Sequence, residues 1–195
     1  MKCGKTKVKT ELQPRAHSFL TTREVVQTAL MTALLLVVKE AMCVAPANVE
    51  LVTVLIMVSA VSLRPRATLL AVLAFCTVQP MLWGYGYWVV SYFIYWPLLA
   101  LAAMPLRRVK NAAARTVAAV LLAAAFTAMF GVLTSAVEVL FIWGAGDFAT
   151  YFPVNYLRGL LLPYPFFLVH IASSIATVGL LFYPLARALK QLKND

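Results

Sequence analysis

Residues 23–50 read REVVQTALMTALLLVVKEAMCVAPANVE, and this stretch decides the fold. After a polar turn at Arg23 and Glu24 the chain is predominantly apolar from Val25 to Val38. It then meets Lys39 and Glu40, bends around Pro46, and reopens at Asn48 and Glu50 into a second apolar run. An apolar segment of about 20 residues bounded by charge is what a bilayer-crossing helix requires. Within it, Ala29 and Ala33 stand four apart on one helical face, where a second helix can approach closely. Lys39, Glu40 and Glu50 bring ionisable groups to one end of an apolar region, where charge is costly. The expected organisation is therefore a docking face towards one end and a polar site at the other.

Composition extends this reading to the whole chain. Of 195 residues, 63% are hydrophobic and 12% charged, with a mean hydropathy of +0.85. Soluble domains carry roughly 25% charge. The expected class is an all-α integral membrane protein with a basic tail (1–22), a transmembrane domain (23–190) and a short second tail (191–195). The net charge of +10 would suggest nucleic acid in a soluble chain. Here the basic residues concentrate in alternate connections, so no nucleic-acid partner is expected. Cys3, Cys43 and Cys76 show no CxxC spacing and suggest neither a disulfide framework nor a metal set. Ala45-Pro46-Ala47 faintly resembles a leader cleavage site, but the Lys39-Glu40 pair ahead of it argues against cleavage.

Taken in order, spans are expected over Glu24–Met42, Asn48–Leu63, Ala67–Val78, Tyr87–Leu106, Ala113–Trp143 and Tyr164–Leu189. The third reads as short, ending ahead of Gln79-Pro80. A short apolar piece falls near Tyr156–Leu162. Arg64, Arg66, Arg107, Arg108, Lys110 and Arg115 occupy alternate connections, whereas 43–47, 79–86 and 144–155 hold no lysine or arginine. By the positive-inside rule this gives six transmembrane helices with both termini cytoplasmic.

That topology sends the remaining polar groups to the outer side. Lys39, Glu40, Glu50, Glu138, Asp147, Asn155, Arg158 and His170 all fall there, where such groups pair with one another or line a watery cavity. Structural ion pairs, Lys39 with Glu50 or Glu138 and Arg158 with Asp147, are the alternative. Trp83, Tyr85, Tyr87, Trp88, Tyr92, Tyr95, Trp96 and Trp143 crowd the same side. Trp88, Tyr92, Tyr95 and Trp96 share one helical face. An interfacial belt accounts for the shallower rings, and a stacked ligand for the deeper ones.

There is no HExxH, GxSxG, P-loop or metal-spaced acidic pair. Of two histidines, His17 lies in the tail and His170 stands alone. A small membrane enzyme using Glu138, Arg158 and His170 is one alternative function. A stand-alone secondary transporter is another, although spans 1–3 and 4–6 show no internal repeat. A third is a tryptophan-rich ligand-binding or sensory protein without transport.

Size, topology, the AxxxA of span 1, Asn48-Val-Glu50, and a final span opening Pro163-Tyr-Pro-Phe-Phe-Leu-Val-His170 and closing Phe182-Tyr-Pro-Leu185 together resemble the substrate-binding S components of energy-coupling factor transporters. The likeness covers nearly the whole chain, and AxxxA alone is common among spans. The resemblance implies a vitamin-like substrate held in an outward pocket, no cofactor, and a location in a prokaryotic plasma membrane. It also implies docking onto a transmembrane coupling subunit that carries two cytoplasmic ATPases. Ala29 and Ala33 would make the coupling contact. Trp88, Tyr92, Trp96, Glu138, Trp143, Asn155, Arg158 and His170 would bind substrate, with Lys39, Asn48, Glu50, Trp83 and Tyr85 as the gate. Aromatics with both charge signs suit a zwitterionic or cationic heteroaromatic such as thiamine, a pyridoxine-type vitamer, riboflavin or a queuosine precursor.

Overall fold

The computed structural model describes residues 20–42, 49, 51–161 and 165–194. Among these the regular structure is helical, with no strand: α1 (Thr22–Ala41), α2 (Val52–Ser62), α3 (Pro65–Trp83), α4 (Trp88–Ala103), α5 (Ala112–Ile142), α6 (Phe148–Leu161) and α7 (Phe166–Asn194). A 3-10 segment, Met104–Arg108, prolongs α4. Four helices are long and apolar enough to cross a membrane: Pro65–Trp83, Trp88–Arg108, Ala112–Ile142 and Phe166–Gln191. The chain is thus a multi-pass membrane protein by the length and composition of its helices.

The bundle is built around α2. It has only 11 residues, and every one of them is buried. At 1.5 Å per residue it is about 16 Å long, half a bilayer's hydrocarbon core. It does not meet lipid because α1, α3, α4, α5 and α7 surround it. An apolar helix with no polar face is what such a position demands. Phe75, Trp96, Leu99, Val178 and Phe182 pack into the same core.

α1 and α3 run side by side in the same direction. Thr28 donates to the Ala67 carbonyl at 3.4 Å, Thr32 to the Ala71 carbonyl at 3.3 Å, and Gln79 to Glu40 at 3.3 Å, all with a sequence offset of 39. A constant positive offset is the signature of parallel packing in register. α1 starts on a capping box, in which Thr21 and Glu24 bond each other's backbone N–H groups. Glu24 also pairs with Arg64 at 3.5 Å, tying the start of α1 to the turn between α2 and α3.

Arg107 closes the last turn of α2. Its guanidinium donates to the Ala60 carbonyl and, at 3.4 Å, to that of Leu63. The final carbonyls of a helix lack partners within it, and a cation there also complements the negative end of the helix dipole. Arg64, Arg107 and the Thr22 start of α1 therefore share one end of the bundle. The loops ending α3 and α5, at Gly84 (φ 82°) and Gly144 (φ 79°), lie at the other.

Three elements differ from the sequence expectation. α3 is not short: it begins at Pro65 and continues through Pro80 to Trp83. Proline removes one helical hydrogen bond without ending the helix when packing holds both flanks, and Pro80 and Gln79 are buried. The short apolar piece near 156–162 is the end of a 14-residue helix, α6. Its turns are laced by Phe148, Phe152 and Tyr156, stacked at 5.1 and 6.1 Å. Of expected span 2, Asn48–Leu63, the described residues form helix over Val52–Ser62.

Candidate functional site

A cavity of about 550 Å³ opens at the end away from Arg64 and Arg107, between α4, α5, α6 and the start of α7. That volume lies within the roughly 300–1,000 Å³ typical of small-molecule sites. Its aromatic wall comes from α4. Trp88 and Tyr92 are half-buried and Trp96 is fully buried, so the i, i+4, i+8 face descends from the mouth into the core. Consecutive rings meet edge-on at 5.0 and 5.7 Å, the arrangement that their quadrupoles favour. Phe130 of α5 and Phe166 and Phe167 of α7 complete the apolar lining.

The Phe167 ring is seated by two glycines. A Cβ at Gly131 (α5) would fall 2.8 Å from its ring, and one at Gly159 (α6) 2.5 Å. Only the absence of side chains at both lets Phe167 lie between the two helices. Tyr156 stacks on it at 5.7 Å, joining the α6 aromatic ladder to the cavity wall. Gly86 acts similarly beside Trp88, whose indole lies 2.9 Å from where a Cβ would be.

The polar rim is a closed triangle. Asn155 donates to Glu138 at 3.0 Å, Arg158 donates to Glu138 at 3.2 Å, and Arg158 donates to the Asn155 side-chain carbonyl at 2.8 Å. Asn155 and Arg158 are three apart on α6 and present to the same side, facing the outer part of α5. Tyr87, in the loop ahead of α4, lies beside the same carboxylate. Burial first, and then the Glu138 charge, push its phenol up from the ordinary value, so it stays protonated.

No family model, curated protein or solved structure matches this chain. Its function is argued from its own residues.

Of the residues expected to bind substrate, the structure brings together Trp88, Tyr92, Glu138, Asn155 and Arg158 around one cavity. It sets the other three elsewhere. Trp96 belongs to the core beneath, 6.3 Å from Phe75. Trp143 stacks on Tyr151 at 4.1 Å, outside the lining. His170 is buried and packs perpendicular to Phe130 at 5.3 Å, outside the lining. Arg158 pairs with Glu138, not with Asp147.

A separate contact joins two expected gate elements. The Trp83 indole N–H donates to Glu40 at 3.0 Å, and the Gln79 amide adds its bond to the same carboxylate. Glu40 thereby ties the end of α1 to the end of α3. Lys39 is half-buried on the same last turn of α1, and Tyr85 is 80% exposed in the 84–87 loop. Asn48 and Glu50 lie outside the described residues.

Phe130, Phe166 and Phe167 were missing from the expected set, as were Thr134 and Ser135. The pairing of Gly131 with Gly159 was the one available signal for Phe167, and it becomes readable only once α5 and α6 are known to adjoin. Ala29 and Ala33 are exposed on α1, in a stripe with Val25 and Val37 at four-residue spacing. Among the described residues no cluster of three metal-ligating side chains occurs.

Proposed function

We propose that this chain is a membrane-embedded substrate-binding subunit of the S-component type, holding a vitamin-like ring compound in the α4–α7 cavity. One observation carries the reading: an aromatic-walled cavity of about 550 Å³ is rimmed by a hydrogen-bonded Glu138–Asn155–Arg158 triangle. Ionisable groups among membrane helices mark ligand or ion sites by default.

In this reading all six expected spans traverse or complete the membrane domain. α1 is 20 residues long, about 30 Å at 1.5 Å per residue, with Arg23, Glu24, Lys39 and Glu40 at its two surfaces. α2 completes the count from inside the bundle. The arginine-rich end faces the cytoplasm of a prokaryotic cell. The exposed small-residue stripe of α1 contacts a transmembrane coupling subunit, and two ATPase subunits supply the energy. The chain itself binds and carries.

Quenching of intrinsic tryptophan fluorescence in detergent-solubilised protein tests the binding step, with thiamine, pyridoxine, riboflavin and a deazaguanine queuosine precursor as probes. A saturable response to one probe, weakened by Trp88→Ala, is expected. Silence across the panel from folded protein rejects the reading. Co-purification of ATPase subunits with the tagged chain from its native membrane tests the coupling step, and purification of the chain alone would argue for an uncoupled binder.

A further inference from the structure

We infer that the cavity selects a planar ring that carries a hydrogen-bond acceptor oxygen and no fixed positive charge, held at Arg158 rather than at Glu138. The inference rests on the binding reading above and turns on which rim charge is already balanced and which keeps open donors. A carboxylate at the mouth of an aromatic cavity would ordinarily invite a cation. Glu138 is already paired: one oxygen accepts from Arg158 at 3.2 Å and the other from Asn155 at 3.0 Å, with the Tyr87 phenol beside them. Asn155 belongs to the same triangle, since one amide N–H donates to Glu138 and its carbonyl accepts from Arg158. A cationic ligand would have to compete with a guanidinium that already balances the charge.

Arg158 is in the opposite condition. Both of its bonds leave from Nη2. Nη1 and Nε, three of the five guanidinium N–H donors, make no hydrogen bond to a described residue. The Arg158 side chain is 63% exposed against 20% for Glu138. The rim therefore offers the solvent a planar cation whose back is fixed by the triangle. Its remaining N–H groups suit acceptor oxygens: a carboxylate, or the carbonyl of a lactam or imide ring. The walls fix the rest of the molecule. Trp88, Tyr92, Phe130 and Phe167 present ring faces and edges, which favour a flat aromatic body.

The test uses the full chain in detergent, with riboflavin (a ring dione), 7-cyano-7-deazaguanine (a lactam), nicotinate (a carboxylate) and thiamine (a fixed cation) as probes. Wild type, Arg158→Lys, Arg158→Met and Glu138→Gln are compared, each checked for an unchanged elution profile. The expected result is saturable quenching by one acceptor-edged probe. Arg158→Met should weaken it at least about tenfold, in keeping with a lost charged hydrogen bond. Arg158→Lys should restore it only partly, because lysine keeps the charge and loses the planar guanidinium that bonds the triangle and a ligand at once. Which probe responds distinguishes a ring carbonyl from a carboxylate. Thiamine as the tightest ligand, abolished by Glu138→Gln and spared by Arg158→Met, overturns this inference while leaving the binding reading intact. So does acceptor binding that both Arg158 variants leave unchanged. Silence from every probe overturns the binding reading and this inference with it.

Discussion

Phe167 occupies a slot that exists because Gly131 and Gly159 lack side chains, and the two glycines are not equivalent. A Cβ at Gly131 would meet the Phe167 ring near its root, at Cγ, which no ring rotation can move aside. A Cβ at Gly159 would meet the far edge, at Cε2 and Cζ, which can swing. Gly131→Ala should therefore overpack the α5–α7 contact and lower stability by about 1–3 kcal/mol. Gly159→Ala should cost less stability and instead drive the ring into the cavity, weakening ligand binding. Thermal unfolding in detergent beside ligand titration separates the two effects, and Phe167→Leu should relieve both. Equal stability losses without change in binding would refute this account of the slot. The same scale shows where sequence reasoning stops. The nearest acid to Arg158 on the outer side in the sequence is Asp147, yet its partner is Glu138, 20 residues upstream. Sequence proximity misled because α6 folds back along α5, which brings Glu138 level with Asn155 and Arg158. The residue types of the rim were legible, but their pairing depended on that fold-back.

At the scale of the element, α2 is the helix most dependent on its neighbours. Its last carbonyls are buried with Ala60, and Arg107 satisfies them from the 3-10 segment. Arg107→Met should strand those acceptors and cost about 1–2 kcal/mol, near the range for a hydrogen bond to a charged group. Arg107→Lys should recover part of it. Arg108→Met, on an exposed residue next door, serves as the control and should shift the melting temperature little. If the Arg107 and Arg108 variants melt alike, the cap is not what holds the end of α2. Helix existence was readable where composition was unambiguous: α5 spans 112–142 against an expected 113–143. Boundaries failed where a local signal competed with packing. Pro80 reads as a stop, but burial of Gln79 and Pro80 against the bundle carries α3 on to Trp83. The first half of α6 was lost because its register is written in aromatics (Phe148, Phe152, Tyr156) directly after two loop glycines.

For the molecule as a whole, the two ends carry different chemistry, and α1 belongs to neither wall of the cavity. It packs on α3 and α2, turning Met31 and Leu35 inward and leaving Val25, Ala29, Ala33 and Val37 exposed. The cavity is lined from α4 to α7 and the loop ahead of α4. A mostly aliphatic groove of about 450 Å³ lies beside α1, reaching Leu63 and Leu189, with Thr22, Arg23 and Gln27 in its lining. If binding and coupling are divided this way, a bulky residue at the small positions should disturb one and spare the other. The double substitution Ala29→Leu with Ala33→Leu keeps the helix apolar and its propensity high, while filling the space that close helix contact needs. Ligand affinity in detergent should then stay at the wild-type value, and uptake by cells carrying the whole transporter should fall to background. Loss of affinity together with uptake would mean that α1 supports the cavity after all. Full uptake would mean that no helix docks on this stripe, and the exposed alanines would then be ordinary lipid-facing residues.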